Sequence, residues 1–224
     1  LGLAGCKCAG AMVHARLARD EVDAWSDARL FVAAVNGVAS IGADALLGVT
    51  LCGPSERVEE WLAAHPDAKR LMPPHPWHHP MYLDVQGVRD GSAFASLPEG
   101  PSPGPTAAIF LSATRAGARV ERLDAAYWRE WLTTRVDFKR ALERAAALLS
   151  DAGCYTIETG AHDALTPTAV ATLSFCGVRV VGSAASMRHG QPDGFWEAQR
   201  SQLEAQLCVS EEGERPPSQL EAGR

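Results

Sequence analysis

Leu30-Phe31-Val32-Ala33-Ala34-Val35-Asn36-Gly37 is an apolar, β-rich run that closes on a dipeptide favouring a tight turn. It reads as a strand, and its neighbours on both sides extend the pattern. Upstream, Ala11-Met12-Val13-His14-Ala15-Arg16-Leu17 alternates as a half-buried strand does. Between the two, Asp20 to Ala28 offers a short helix, with Asp20 as N-cap and Val22 and Trp25 facing inward. Downstream, Leu47 to Cys52 is a second apolar strand, broken by Gly53-Pro54. Ser55 begins the clearest helix, with Glu56 in its first turn and Val58, Trp61 and Leu62 along one stripe. Lys69 to Met72 supplies a last short strand. The order is β-α-β-β-α-β.

That order is the one of a ferredoxin-like unit, here spanning residues 10–72. The remainder has an α/β rhythm. A Pro-, Gly- and Ser-rich loop runs from Leu97 to Pro105, and Ala108 to Ala113 follows as a strand. Asp124 opens a helix through Trp131, and a longer one is expected from Val136 to Ala152, stopping at Gly153. Cys154 to Glu158 reads as a buried strand, Thr166-Pro167 as a helix start, Val178 to Val181 as a strand and Phe195 to Leu207 as a helix. Strands alternating with helices point to a helix-covered parallel sheet. Residues 208–224, rich in Glu, Pro and Gly, read as a linker or disordered tail, and residues 1–9 as a boundary segment.

With 224 residues, 46% of them hydrophobic and 21% charged, the chain has the composition of an ordinary globular protein able to bury a core. Its formal charge of −6 gives no sign of nucleic-acid or membrane partners. No apolar run approaches the roughly 18 residues of a spanning helix. The opening Leu-Gly-Leu-Ala-Gly-Cys has no signal-peptide pattern and reads as a fragment boundary. Six scattered cysteines, with Cys6 and Cys8 the one close pair, fit reduced thiols and a cytoplasmic setting better than a disulfide framework or a zinc site.

His75, His78 and His79 form the densest ionisable cluster. Three readings stand open from the residues alone: metal ligands, loop histidines without chemistry, or a general base. Pro76 and Pro80 oppose a regular helix that would present His75 and His78 together, and no carboxylate stands within the cluster. Ser40 lacks a glycine two residues earlier, where Val38 stands, so it is not a nucleophile-elbow serine.

Four landmarks in order resemble the acyltransferase domains of modular polyketide synthases and the related malonyl-CoA:acyl carrier protein transacylases. They are Ala33-Ala34-Val35-Asn36-Gly37, His75-Pro76-Trp77-His78-His79-Pro80-Met81, Leu123-Asp124-Ala125-Ala126-Tyr127-Trp128 and Gly160-Ala161-His162-Asp163-Ala164-Leu165. A fifth, Ser186-Met187-Arg188-His189-Gly190, resembles the segment that closes such a domain. The resemblance implies a ferredoxin-like small subdomain at 10–72 and the C-terminal part of an α/β-hydrolase-like acyltransferase core at 73–207. It places the family's catalytic histidine at His78, since His75 to His78 aligns with a motif written HAFH or YASH. It puts His75 and Trp77 in the substrate-binding positions and favours malonyl over methylmalonyl, because a bulky ring before the base crowds an α-methyl group. Trp131 takes the place of an Asn whose neighbouring main-chain carbonyl orients the base. His162 is assigned a structural role.

The implied reaction passes an acyl group from acyl-CoA to a serine and then to the phosphopantetheine thiol of an acyl carrier protein, without a bound cofactor or metal. Neighbouring synthase domains are further implied partners. Arg115, Arg119, Arg122 and Arg129 are candidates for a basic docking face. The sequence departs from the pattern at Trp131, Arg135, Ala161 and Asp163, and it is expected to lack the family's nucleophile elbow. The chain is therefore expected not to form an acyl-enzyme by itself. A non-catalytic acyltransferase remnant serving as a scaffold is the alternative.

Overall fold

The computed structural model describes residues 10–40, 45–72, 75–97, 108–149, 153–160, 163–187, 190–191 and 194–213. The chain divides into two compact units, Leu1–Leu148 and Leu149–Arg224.

The first unit is built on a five-stranded sheet. Strand β1 (Ala11–Ala18) leads into α1 (Arg19–Asp23), then β2 (Phe31–Val38), β3 (Leu46–Gly53), α2 (Ser55–Ala64) and the two-residue β4 (Lys69–Arg70). The spatial order is β4-β1-β3-β2, with all three pairings antiparallel. Alternation along β1 sends Val13, Ala15 and Leu17 into the core, where they meet Val49 and Leu51 of β3 and Val58 and Trp61 of α2. His14 and Arg16 take the opposite face.

Helix α1 is shorter than expected and starts one residue earlier. The Glu21 carboxylate accepts from the Ala18 amide at 2.7 Å, so the helix begins ahead of Asp20. The Trp25 indole N–H then donates to the Leu30 carbonyl at 2.6 Å, folding the chain back toward β2. The Asn36-Gly37 pair makes no turn. Strand β2 runs through it to Val38, with register shifts at Val32/Ala34 and Val35/Gly37. The Asn36 amide instead donates to Thr50 Oγ1 across the sheet at 3.1 Å.

After β4 come a 3₁₀ turn (Pro80–Asp84), the short α3 (Gln86–Arg89) and a second 3₁₀ turn (Ser92–Phe94). Strands β5 (Leu111–Ser112) and β6 (Ala118–Arg119) form a small hairpin, leaving only two residues of the strand expected at 108–113. Helix α4 (Ala125–Thr133) is N-capped by Asp124, whose carboxylate accepts from the Tyr127 amide at 2.9 Å. β7 (Val136–Asp137) then adds in parallel to β2, and α5 (Phe138–Ala146) follows. Val136 therefore belongs to the sheet, not to a helix. Asp137 caps α5 by accepting from the Arg140 amide at 2.9 Å.

The second unit is a βαβ arrangement: β8 (Cys154–Glu158), α6 (Thr166–Phe175) and β9 (Val180–Ala185), with β8 and β9 parallel. The Glu158 carboxylate accepts from the Leu165 and Thr166 amides and so caps α6. Strand β8 is not buried as expected, since Ile157 is 52% exposed. Gly153 precedes it at φ 94°, with the Arg179 carbonyl 2.8 Å from where a Cβ would stand. Helix α7 (Phe195–Gly213) continues past Leu207 to Gly213. Among the described residues, no helix is long and apolar enough to cross a membrane.

Candidate active site

The segment carrying the histidines is pinned at both ends. At its start, the Leu71 amide donates to the Met12 carbonyl at 2.9 Å, tying the exit of β4 to β1. Pro76 is buried against Gly10: a Cβ there would stand 2.7 Å from Pro76 Cγ and 2.7 Å from the Gly53 carbonyl. Only glycine permits that approach. At its end, His79 is the N-cap of the 3₁₀ turn, its Nδ1 accepting from the Met81 amide at 2.9 Å. An acceptor Nδ1 places the His79 proton on Nε2. Burial holds the His79 imidazole below its usual range, in keeping with that neutral form.

Between these anchors His78 adopts φ 63°, the left-handed region that few residues other than glycine enter. This conformation brings its Nδ1 to 2.6 Å from the Trp131 carbonyl oxygen. A carbonyl only accepts, so Nδ1 carries the proton and the Nε2 lone pair is left unprotonated. Burial lowers the His78 pKa, and the bond to the Trp131 carbonyl opposes that shift in part. The ring is therefore neutral at neutral pH.

Aromatic rings wall the site. Trp131 meets His78 edge-on, with centroids 4.9 Å apart. Trp77 stacks near Tyr82 at 6.1 Å and tilts against Trp131 at 6.2 Å, while its other contacts reach Met12, Ala33 and Cys52 of the sheet. Beneath them Tyr82, Val88, Phe94 and Leu132 form a core of their own. His75 is exposed and lies edge-on to Trp77 at 5.6 Å. The four residues singled out from the sequence, His75, Trp77, His78 and Trp131, thus stand in one cluster, although 53 positions separate His78 from Trp131.

Other candidates have ordinary structural partners. Ser40 Oγ accepts from the Leu46 amide at 3.1 Å. Arg135 pairs with Asp137 at 3.7 Å. Of the four arginines proposed as a docking face, Arg115 pairs with Glu130 at 2.8 Å and lies over the Tyr127 ring. Arg129 donates to the Arg89 carbonyl at 3.1 Å. His162, Ala161, Arg188 and His189 lie outside the described residues. The motifs they belong to do meet, because the Gly160 amide donates to Ser186 Oγ at 3.2 Å. Among the described residues, no group of three His, Cys, Asp or Glu side chains is placed to hold a metal ion. The capping role of His79 and the seat that Gly10 gives Pro76 were not anticipated. The Pro80 after His79, at the first helical position, was the available signal for the cap.

No protein-family model and no curated protein sequence matches the chain. Solved structures do. The acyltransferase domain from the second module of the salinomycin polyketide synthase is 22% identical, with a TM-score of 0.68 over 99% of this chain and 50% of that one. A loading acyltransferase from the avermectin modular polyketide synthase is 24% identical, with a TM-score of 0.67 over 88% of this chain and 60% of that one. The malonyl CoA-acyl carrier protein transacylase from Clostridium perfringens is 17% identical, with a TM-score of 0.58 over 91% of this chain and 60% of that one. The chain thus spans 50% to 60% of the length of these three structures. At such identities the likeness is one of fold: the chain has a mixed α/β fold resembling the acyltransferase domains of modular polyketide synthases and malonyl transacylases.

Proposed function

We propose that the chain is the C-terminal portion of an acyltransferase domain of polyketide-synthase type, with residues 10–72 as its ferredoxin-like small subdomain and 73–207 as part of the catalytic core. In the whole protein it supplies the general base for loading an acyl group onto an acyl carrier protein. One observation carries this reading: His78, in a left-handed conformation, donates from Nδ1 to a main-chain carbonyl at 2.6 Å. That bond fixes the tautomer whose Nε2 can accept a proton.

The chemistry follows from that tautomer. Nε2 takes the hydroxyl proton of a serine as its oxygen attacks the thioester carbonyl of acyl-CoA. The imidazolium, steadied by the Trp131 carbonyl, returns the proton to the departing CoA thiolate, and an acyl-serine ester remains. In the second half the phosphopantetheine thiol gives its proton to Nε2 and displaces the serine oxygen, which recovers the proton. The one Gly-x-Ser-x-Gly match in the 224 residues, Gly100-Pro101-Ser102-Pro103-Gly104, places a proline after its serine, where an elbow needs a backbone N–H for the oxyanion hole, so the serine is taken to come from another segment of the protein. Because the base is neutral at neutral pH, it is ready for the first proton without prior titration.

The substrate is malonyl-CoA. Trp77, packed between Tyr82 and Trp131, is a fixed bulky wall immediately before the base. Excluding one α-methyl group by such a wall is worth about 1–3 kcal/mol. His75, edge-on to Trp77, borders the same substrate region. Acyl carrier protein and neighbouring synthase domains are the partners, in the cytoplasm.

The test uses the parent protein with its nucleophile-bearing segment. It is incubated with radiolabelled malonyl-CoA and methylmalonyl-CoA, beside a His78→Ala control. Acid-stable malonyl label that fails to accumulate in the control is the expected result. No label from either substrate in a folded protein would overturn the reading in favour of a scaffold remnant.

A further inference from the structure

A cavity lies at the far end of β1 and shares no residue with the histidine segment. Its volume is about 790 Å³, and its walls come from β1 (His14 to Leu17), the end of α2 and the Ala64–Lys69 connection. It exists because β4 is short. Only Val13 and His14 have partners on β4, at Arg70 and Lys69, so the edge of β1 beyond His14 has no strand beside it. Strand alternation puts His14 and Arg16 on one face, and register puts Lys69 directly across from His14. Three basic groups therefore converge on one corner.

They converge without being neutralised. Asp67 is the one carboxylate among the residues lining the cavity. Among the described residues, neither Arg16 nor Lys69 has an ion pair, whereas Arg57, Arg70, Arg115 and Arg135 each have one. The His14 pKa is lowered by burial and by the neighbouring Arg16 and Lys69 charges, against a raising bond to the Val49 backbone. Like charges gathered on a cavity wall repel one another until an anion enters.

Beyond the open edge of β1, on the α2 face of the sheet, the lining is aromatic and rigid. His65 stacks on Trp61 at 3.8 Å with only 9° between the planes. Its Nδ1 donates to the Trp61 carbonyl at 2.8 Å, which fixes the ring. Trp61 is 6% exposed, so its inner face is already covered, while His65 is exposed. The volume lies in the range of small-molecule sites, about 300–1,000 Å³, and is far larger than a lone oxyanion needs.

We infer that this corner is a phosphate-binding site, with His14, Arg16 and Lys69 holding the anion. The phosphate comes either from a nucleotide or from a free phosphate ion. The site lies roughly 13 Å along β1 from Gly10, the residue that seats Pro76. It stands independently of the acyl-transfer reading, and its test needs no acyl chemistry.

The experiment titrates the chain, labelled at its histidine rings, with inorganic phosphate and separately with ADP at constant ionic strength, followed by NMR. Saturable movement of the His14 resonances is expected, with those of His79 unmoved as an internal control. Arg16→Gln and Lys69→Gln should each weaken binding about fivefold, the effect of one lost exposed charge contact. Both side chains are exposed, so unchanged melting curves should accompany the loss. Tighter binding of ADP assigns the site to a nucleotide, and equal binding assigns it to phosphate alone. His14 resonances that stay still into the tens of millimolar would overturn the proposal, as would binding indifferent to both substitutions.

Discussion

Replacing Trp131 by alanine separates two roles that one residue combines. Its carbonyl holds His78 Nδ1 at 2.6 Å, and its ring covers the same imidazole at 4.9 Å. The substitution leaves the carbonyl in place, since helix α4 continues to Thr133 and alanine is a strong helix former. It removes a half-buried indole that also touches Trp77 and Trp128 at 6.2 Å and 6.0 Å. A fully buried Trp→Ala change costs about 3–5 kcal/mol, so half burial sets the loss near ~2 kcal/mol. At about 2–4 °C per kcal/mol, melting of the first unit should fall by roughly 6 °C. The His78 titration should move the other way. Burial is the main cause of its lowered pKa, so exposing the ring lets the value rise toward the ordinary imidazole range near ~6.5. The assay is a thermal melt by circular dichroism with an NMR titration of the His78 ring proton. A melt that does not move, or a His78 pKa that stays put or falls, would refute the shielding argument.

Acid should destabilise the chain through its histidines. His14, His78 and His79 are all lowered in the fold, so their contribution is full above the unfolded value near ~6.5 and is lost as pH falls through the folded values. Urea midpoints should drop between pH 7.5 and 5, and an unchanged midpoint would contradict the assignments. In the parent enzyme, acyl transfer should rise with pH to a plateau that begins below the ordinary imidazole pKa, because the base must be neutral. A plateau starting above ~7 would exclude His78 as that base. Cys52, fully buried and with its thiol pushed up to about 12, should resist thiol reagents until the protein unfolds, while exposed Cys176 reacts at once. Asp124→Ala removes the cap of α4 and should cost about 1 kcal/mol in a denaturant titration.

Much of this molecule is legible from the chain itself, and the unread parts share a cause. The strand at 11–17, the helix at Ser55 and the Asp124 cap are local features, set by alternation, spacing and a side-chain acceptor, and they stand where those signals put them. Asn36-Gly37 is also a strong local signal, yet no turn forms there. Pairing with β3 and the Asn36–Thr50 bond across the sheet hold the pair extended. Val136 reads as helical by spacing but is drawn into the sheet by its parallel pairing with Ala34. Tertiary pairing decides both cases, and no window of sequence contains it.

The site divides in the same way. The motif that contains His78 is readable in the chain, and the main-chain carbonyl of Trp131 that meets its Nδ1 does not depend on side-chain identity. The seat of Pro76 on Gly10 and the His79 cap depend on distances that only the fold supplies. The cation corner at His14, Arg16 and Lys69 needed strand register.

The account rests on one hydrogen bond, and long-range ¹H–¹⁵N correlation spectra of the histidine rings at neutral pH read it directly. A His78 ring protonated at Nδ1, with Nε2 bare, is the result the account predicts. A His78 ring protonated at Nε2, or exchanging freely between the two forms, would contradict it.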